Sequence, residues 1–192
     1  MTEYTFEEAK AMRETNAFDP RNIRDELKSL TNEEVRRHLK ANSSQFVLCL
    51  SNNIRDMNLS SAIRSANAFN IRKTIMVGRR NYDRRGACGV QNYSTIEFCK
   101  DWRKVFDEYR RHGYKIVALE HNDRFHMHNI RDYKWKEKTL MICGEEGLTI
   151  PDEILKEVDD IVYIPMRGSV RSFNLASAVS IALYDYTGKV GV

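Results

Sequence analysis

No stretch of this 192-residue sequence approaches the roughly 18 consecutive apolar residues that a membrane-spanning helix requires. Residues 1–10 are polar and acidic, where a secretory signal would be basic and then apolar, so no membrane partner is expected and the expected compartment is the cytoplasm. The four cysteines, Cys49, Cys88, Cys99 and Cys143, are too scattered to make a paired metal-ligand pattern. Two of them lie inside apolar strand-like runs, and all four read as reduced thiols. His121, His126 and His128, close to Asp123, lack the helical i, i+4 pairing of a ligand set. An exposed polar loop without a metal is the expectation there. Also missing are a G-x-G-x-x-G after a strand, a Walker lysine loop and a G-x-S-x-G elbow. Their absence leaves the usual dinucleotide, nucleoside triphosphate and serine-hydrolase readings without support.

What is present suits a folded domain. With 42% hydrophobic and 30% charged residues, the chain can bury one good core, carrying at most a short appendage. The formal net charge of +4 and a pI near 8.8 favour a polyanion only where the charge is clustered.

The first 44 residues are charge-rich and helical in flavour, and Thr31-x-x-Glu34 is a capping-box pattern that opens a short amphipathic run. They read as an extension to a domain spanning 45–192. From residue 46 the texture changes. Apolar runs at 46–50, 74–77, 116–119, 140–143 and 161–164 read as strands. Between and after them, 59–69, 102–111 and 175–186 read as helices: Ala62, Ile63, Ala66 and Phe69 share one stripe, and Val105, Phe106 and Tyr109 another. Strands without polar alternation, interleaved with helices, predict an α/β fold: a mainly parallel sheet with helices on both faces.

Open α/β sheets bind ligands beyond the carboxyl ends of their strands. Three polar, small-residue clusters lie at such ends. The first runs from Asn53 to Arg64. Asn58 or Ser60 can cap the following helix, while Arg64 lies off the apolar stripe, as an ordinary surface charge or as a guanidinium suited to phosphate or a developing oxyanion. In the second, Gly144-Glu145-Glu146-Gly147, tight backbone sits beside charge, and Pro151 then starts a short helix. The third, 165–174, carries Arg167 and Arg171 and delivers Ser172 and Asn174 to the mouth of an Ala/Ser-rich helix. Small residues at Ala176, Ser177, Ala178, Ser180 and Ala182 permit close packing, within the fold or between subunits.

Together the clusters resemble the three motifs of the SpoU (TrmH-like) branch of the SPOUT RNA 2′-O-ribose methyltransferases. Asn58 and Arg64 match an Asn followed six positions later by Arg. Gly144, Glu146, Gly147 and Pro151 match a G-x-E-G-x-G-L-P-type turn. Ile164, Pro165, Met166, Gly168, Ser172, Asn174 and Leu175 match an I-P-M-x-G-x-x-x-S-L-N-V run. Thr149 and Ser60 stand where glycines are usual, and Phe173 where leucine is.

The resemblance implies a carboxyl-terminal trefoil knot, a homodimer with the active site near the subunit interface, and S-adenosylmethionine bound in the knot. It implies donor contacts at Leu119, Cys143, Gly144, Glu146, Gly147, Ile164, Met166, Ser172, Asn174 and Leu175. Arg64, Asn58, Glu146, Ser172 and Asn174 would serve transfer to a ribose hydroxyl of a tRNA or rRNA. RNA contacts are expected from Arg79, Arg80, Arg84 and Arg85 around Tyr82, joined by Arg167 and Arg171, with residues 1–44 assisting recognition; the alternative is that the four loop arginines only solvate a long loop. The competing readings are an RNA-binding protein that has lost catalysis and an unrelated nucleotide-binding α/β protein.

Overall fold

The computed structural model describes Glu7 and residues 21–54, 57–145, 147 and 149–191. Most of the first twenty residues of the expected extension, and Glu146 in the second motif, lie outside the described residues. Helix α1, Asn32–Ala41, starts at the capping box read from sequence: Glu34 N donates to Thr31 Oγ1 at 3.3 Å, and Thr31 N donates to Glu34 Oε2 at 2.8 Å. Leu27 and Val35 are buried in the same apolar cluster as the central strands, so this part of the chain packs on the main body.

Seven strands follow: β1 Val47–Asn52, β2 Lys73–Gly78, β3 Ile96–Cys99, β4 Lys115–Leu119, β5 His128–Asn129, β6 Thr139–Cys143 and β7 Asp160–Tyr163. They form one sheet in the order β3-β2-β1-β6-β4-β7-β5, and every described pairing is parallel. The helices are α2 Met57–Ala68, α3 Trp102–Arg111, the short α4 Asp152–Leu155, and α5 Leu175–Val190.

Sequence reading missed β3 and β5. Both are edge strands with one neighbour each, and β5 is two residues long. Such segments become extended because a partner strand supplies the hydrogen bonds, not because of a local apolar run. His128, expected in an exposed loop, is therefore half-buried in β5 and paired with Val162. Ile164, expected inside the last core strand, lies just beyond it.

Successive residues of each central strand face opposite sides. Leu48, Leu50, Met76, Val117, Met141, Cys143 and Val162 pack with α2 and α5. Val47, Cys49, Ile75, Ile116, Ile142 and Ile161 pack with α3 and α4. Both faces are covered, which explains the missing polar alternation.

The 120–138 segment between β4 and β6 holds the carboxyl-terminal half of α5. Trp135 Nε1 donates to Asp185 Oδ2 at 2.7 Å, Tyr186 Oη donates to the Glu137 carbonyl at 2.8 Å, and Lys189 Nζ donates to the carbonyls of Ile130 and Arg131 at 2.7 and 2.8 Å. The Trp135 ring stands edge-on to Phe46 and Tyr186, with centroids 6.1 and 6.0 Å apart. Trp135→Ala removes both the packing and the Asp185 bond, and it is expected to lower unfolding free energy by about 3–5 kcal/mol. Guanidinium unfolding followed by circular dichroism checks this; an unchanged midpoint would show that the segment does not restrain α5.

Candidate active site at the strand ends

The carboxyl ends of the four central strands line up. Leu50 of β1 is level with Cys143 of β6, Cys143 with Leu119 of β4, and Leu119 with Val162 of β7. The chain leaving β1, β6 and β7 enters the three clusters read from sequence, while β4 leads into the 120–138 segment.

Glu145, two residues beyond Cys143, is buried, and its carboxylate reaches across to the turn after β1. Its Oε1 accepts from Ser51 Oγ at 2.9 Å and from the Asn53 backbone N–H, and its Oε2 accepts from the Ile54 N–H at 3.0 Å. This joins the second cluster to the first. A second carboxylate, on Glu120 after β4, accepts from the His121 and Ile150 N–H groups at 2.9 and 3.0 Å and so anchors the far side of the second turn.

The third cluster meets the first through two asparagines. Asn174 caps α5, its Oδ1 accepting from Ala176 N at 3.0 Å and Ser177 N at 3.3 Å, while its Nδ2 donates to Asn58 Oδ1 at 2.8 Å. Asn58 lies in the first turn of α2. Behind this bond the small residues of α5 pack against α2, with Ser65 Oγ and Ser180 Oγ 2.8 Å apart.

Arg64 is exposed on α2, and its Nη1 donates to Cys88 Sγ at 3.3 Å. Cys88 holds a left-handed φ of 48°, uncommon for a residue with a side chain, and its thiol in turn donates to the Arg85 carbonyl at 3.8 Å. Gly86 lets this loop lie on α2: a Cβ there would sit 2.6 Å from Ser60 Oγ and 2.5 Å from Ser61 Oγ. The other end of the loop is held by Asn52, which is buried; its Nδ2 donates to the carbonyls of Arg79 and Asn81 at 2.7 and 3.1 Å.

Arg79, Arg80, Arg84 and Arg85 are all exposed. Arg85 is engaged with Asp83, at 2.6 Å, and its hydrogen bonds hold the Asp83 carboxyl down at about 2. Arg167 and Arg171 are exposed in the loop before α5 and make no ion pair among the described residues. Ser172 is also exposed and makes no hydrogen bond among the described residues.

Leu119, Gly144, Ile164 and Met166 are half-buried, and Cys143 and Leu175 are buried, around one end of the row. Burial, with the Glu120 carboxylate adding to it, pushes the Cys143 thiol far above its ordinary range. It is a neutral lining group. Gly147 adopts a φ of 79°, which a residue with a side chain reaches only under strain. Thr149 is not among the described residues with positive φ, so the usual glycine is not needed at that position.

Glu145, Asn52, Glu120 and Cys88 were not singled out from sequence. Glu145 stood in an acidic pair whose members look alike, and only the fold separates the one aimed inward. The Arg64 contact of Cys88 left no trace in spacing. Among the described residues no group of three His, Cys, Asp or Glu side chains is arranged to hold a metal ion. No helix formed by them is long and apolar enough to cross a membrane.

The sequence profile of the SpoU rRNA methylase family matches residues 45–184. The chain belongs to this family. A relative, the 23S rRNA (guanosine-2′-O-)-methyltransferase RlmB of Coxiella burnetii, is 27% identical in a 169-position alignment that covers 84% of this chain and 66% of that protein. This chain thus spans just under two thirds of that relative's length. The TrmH/SpoU tRNA modifying enzyme of A. aeolicus superposes with a TM-score of 0.73 at 21% identity, covering 83% of this chain and 82% of the other. The SpoU methyltransferase AviRb of Streptomyces viridochromogenes, crystallised with AdoMet, gives 0.67 at 24% identity over 77% and 61% of the two chains. Both share the SpoU fold.

Glu145→Ala leaves two backbone N–H groups and a serine hydroxyl without their acceptor. It is expected to destabilise the chain by about 2–3 kcal/mol, measured by urea unfolding. A loss below about 0.5 kcal/mol would mean that water replaces the carboxylate without penalty.

Proposed function

We propose that this chain transfers a methyl group from S-adenosylmethionine to the 2′-hydroxyl of a ribose in structured RNA, a tRNA or an rRNA, and that it works in the cytoplasm. The observation that carries this reading is the hydrogen bond from Asn174 to Asn58, which draws the loop before α5 onto the first turn of the helix bearing Arg64. Family membership supports it, as do the relatives named for 23S rRNA and tRNA and the relative crystallised with AdoMet. The alternative of an unrelated nucleotide-binding protein falls with the family assignment.

The residues at the strand ends fit the donor. Leu119, Ile164, Met166 and Leu175 supply an apolar wall for an adenine, and Gly144 and Gly147 leave backbone without side chains beside it. Cys143 adds a neutral thiol to that lining, and Ser172, Asn174 and Glu146 would order the covering loop. When bound, the donor supplies an electrophilic methyl group on a sulfonium.

Arg64 does the work on the acceptor side. A guanidinium carries hydrogen-bond donors and no acceptor, so it cannot take the hydroxyl proton. It instead stabilises the negative charge that grows on the ribose O2′ as that proton passes to solvent water at this exposed position. Cys88 restrains the guanidinium from one side, and Asn58 orients the nucleotide. Arg79, Arg80 and Arg84, with Arg167 and Arg171, attract the phosphates around the target, while Arg85 serves mainly to shape the loop through Asp83.

We also infer that the chain is knotted where α5 meets the 120–138 segment, and that it is a homodimer. Phe173, Ile181 and Tyr184 are exposed apolar side chains on and next to α5, and Ile54, Met57 and Val170 are exposed in the first and third clusters. Such exposed apolar groups suit a two-fold interface that brings two active sites together. Tyr184→Glu is expected to convert a dimer to a monomer in sedimentation velocity; an unchanged sedimentation coefficient would move the interface elsewhere.

Transfer of labelled methyl from S-adenosylmethionine to total RNA, with 2′-O-methyl mapping in cells with and without the protein, tests the activity. Arg64→Ala should lower kcat by about 10²–10³-fold while calorimetry gives donor affinity within about twofold of the unaltered chain. Full activity in that variant would remove Arg64 from the role.

A further inference from the structure

The arginine loop contacts the sheet edge through an ordered stack of planar groups. The Arg80 guanidinium carbon lies 5.5 Å from the centroid of the Phe98 ring. Phe98 and Tyr82 have centroids 6.4 Å apart with their planes inclined by 37°. The Arg84 guanidinium carbon lies 5.9 Å from the Tyr82 ring. Arg80, Phe98, Tyr82 and Arg84 thus form a ladder with a guanidinium at each end and two aromatic rings between.

Phe98 is a large apolar side chain on the edge strand β3, and more than a third of its surface faces solvent. Its register partner Met76 is fully buried, so at this level the edge strand presents to solvent what the next strand buries. Phe98 also lines an open cleft of about 460 Å³ together with Arg79, Arg80 and Lys100. That volume is in the range of a small-ligand site.

The local charge is one-sided. Of the nearby acids, Glu97 pairs with Lys73 at 2.7 Å, Asp83 pairs with Arg85, and Asp101 caps α3 through the Arg103 N–H. Arg79, Arg80, Arg84 and Lys100 make no ion pair among the described residues. The cleft therefore offers uncompensated cations beside an exposed ring and planar guanidinium groups. Phosphates and the π-faces of unstacked bases need that combination, whereas an A-form duplex hides its base faces and presents only backbone and groove edges.

We propose that this ladder is a stacking platform for an unpaired stretch of the RNA acceptor, with a base lying against Phe98 or the Arg80 guanidinium and the adjoining phosphates held by Arg79 and Lys100. The proposal rests on the reading that the chain acts on RNA. It adds that the RNA is engaged through single-stranded nucleotides at this edge. The same loop connects the platform to the active site: Asn52 holds its beginning, and Cys88 at its end touches Arg64.

Fluorescence anisotropy with the full chain tests the proposal, using a ~12-nucleotide oligoadenylate and a blunt RNA duplex of similar length as probes. Phe98→Ala is expected to weaken oligoadenylate binding about tenfold and leave the duplex within about twofold, with Phe98→Trp restoring the single strand. Arg80→Lys keeps the charge but loses the plane, and it should weaken the single strand selectively. Arg79→Gln should weaken both probes and reduce the salt slope by about one. Equal losses on both probes from Phe98→Ala and Arg80→Lys, no loss from either, or no oligoadenylate binding by the unaltered chain would overturn the platform. Failure of the methyltransferase reading is a separate result, the absence of label transfer to RNA by the unaltered chain. Thermal melting of Phe98→Ala separates a binding loss from a folding loss, and Arg80→Lys repeats the test on an exposed side chain.

Discussion

A single buried carboxylate fixes the region on which the function depends. Glu145 is almost entirely shielded from water, so its charge requires full hydrogen-bonding inside the protein. The donors that meet it are the Ser51 hydroxyl and two successive backbone amides of the turn after β1. That turn can take few other paths without stranding either the charge or the amides. Its course decides where α2 begins, and the start of α2 decides where Asn58 and Arg64 stand. The Asn174 bond then closes the arrangement from the neighbouring helix on the same face of the sheet, using the same side chain that caps α5.

The sheet provides a rigid base for this. Its central strands end level with one another, because parallel neighbours in register with apolar residues on both faces cannot slip without turning core side chains to the wrong face. On that base sit two exposed loops that are tethered to different degrees. The 79–88 loop is basic and hung from three points: the Asn52 amide, the close approach of Gly86 to α2, and the Arg64–Cys88 contact. The loop before α5 is exposed along most of its length and, among the described residues, is held by hydrogen bonds at Asn174. An arrangement in which loops on a stiff sheet carry the groups that meet substrate fits a reaction that needs alignment of donor and acceptor above all.

Much of the scaffold was legible locally. The apolar runs that became β1, β2, β4, β6 and β7 could be read because a strand buried on both faces needs no partner information to show its character. The stripe Val105, Phe106 and Tyr109 located α3 to the residue, and Thr31 with Glu34 located the start of α1. Ile96–Cys99 escaped notice because Glu97 and Phe98 face solvent at the sheet edge, and His128–Asn129 because its extended form is imposed by Tyr163 and Val162. The burial of Leu27 and Val35 in the main core likewise depends on distant strands and not on their own neighbours.

Motif spacing by itself determined that Asn58, Arg64, Gly144 and Asn174 belong to one family pattern, and alternation of apolar runs determined an α/β fold, since both are properties of residues near one another in the chain. Only the tertiary structure decided that Glu145 ties the β1 turn, that Cys88 touches Arg64, and that Arg80, Tyr82, Arg84 and Phe98 stack at one edge. Those contacts join segments whose separation along the chain carries no periodic signal. Parallel strands place residues side by side only after the long crossovers between them have folded.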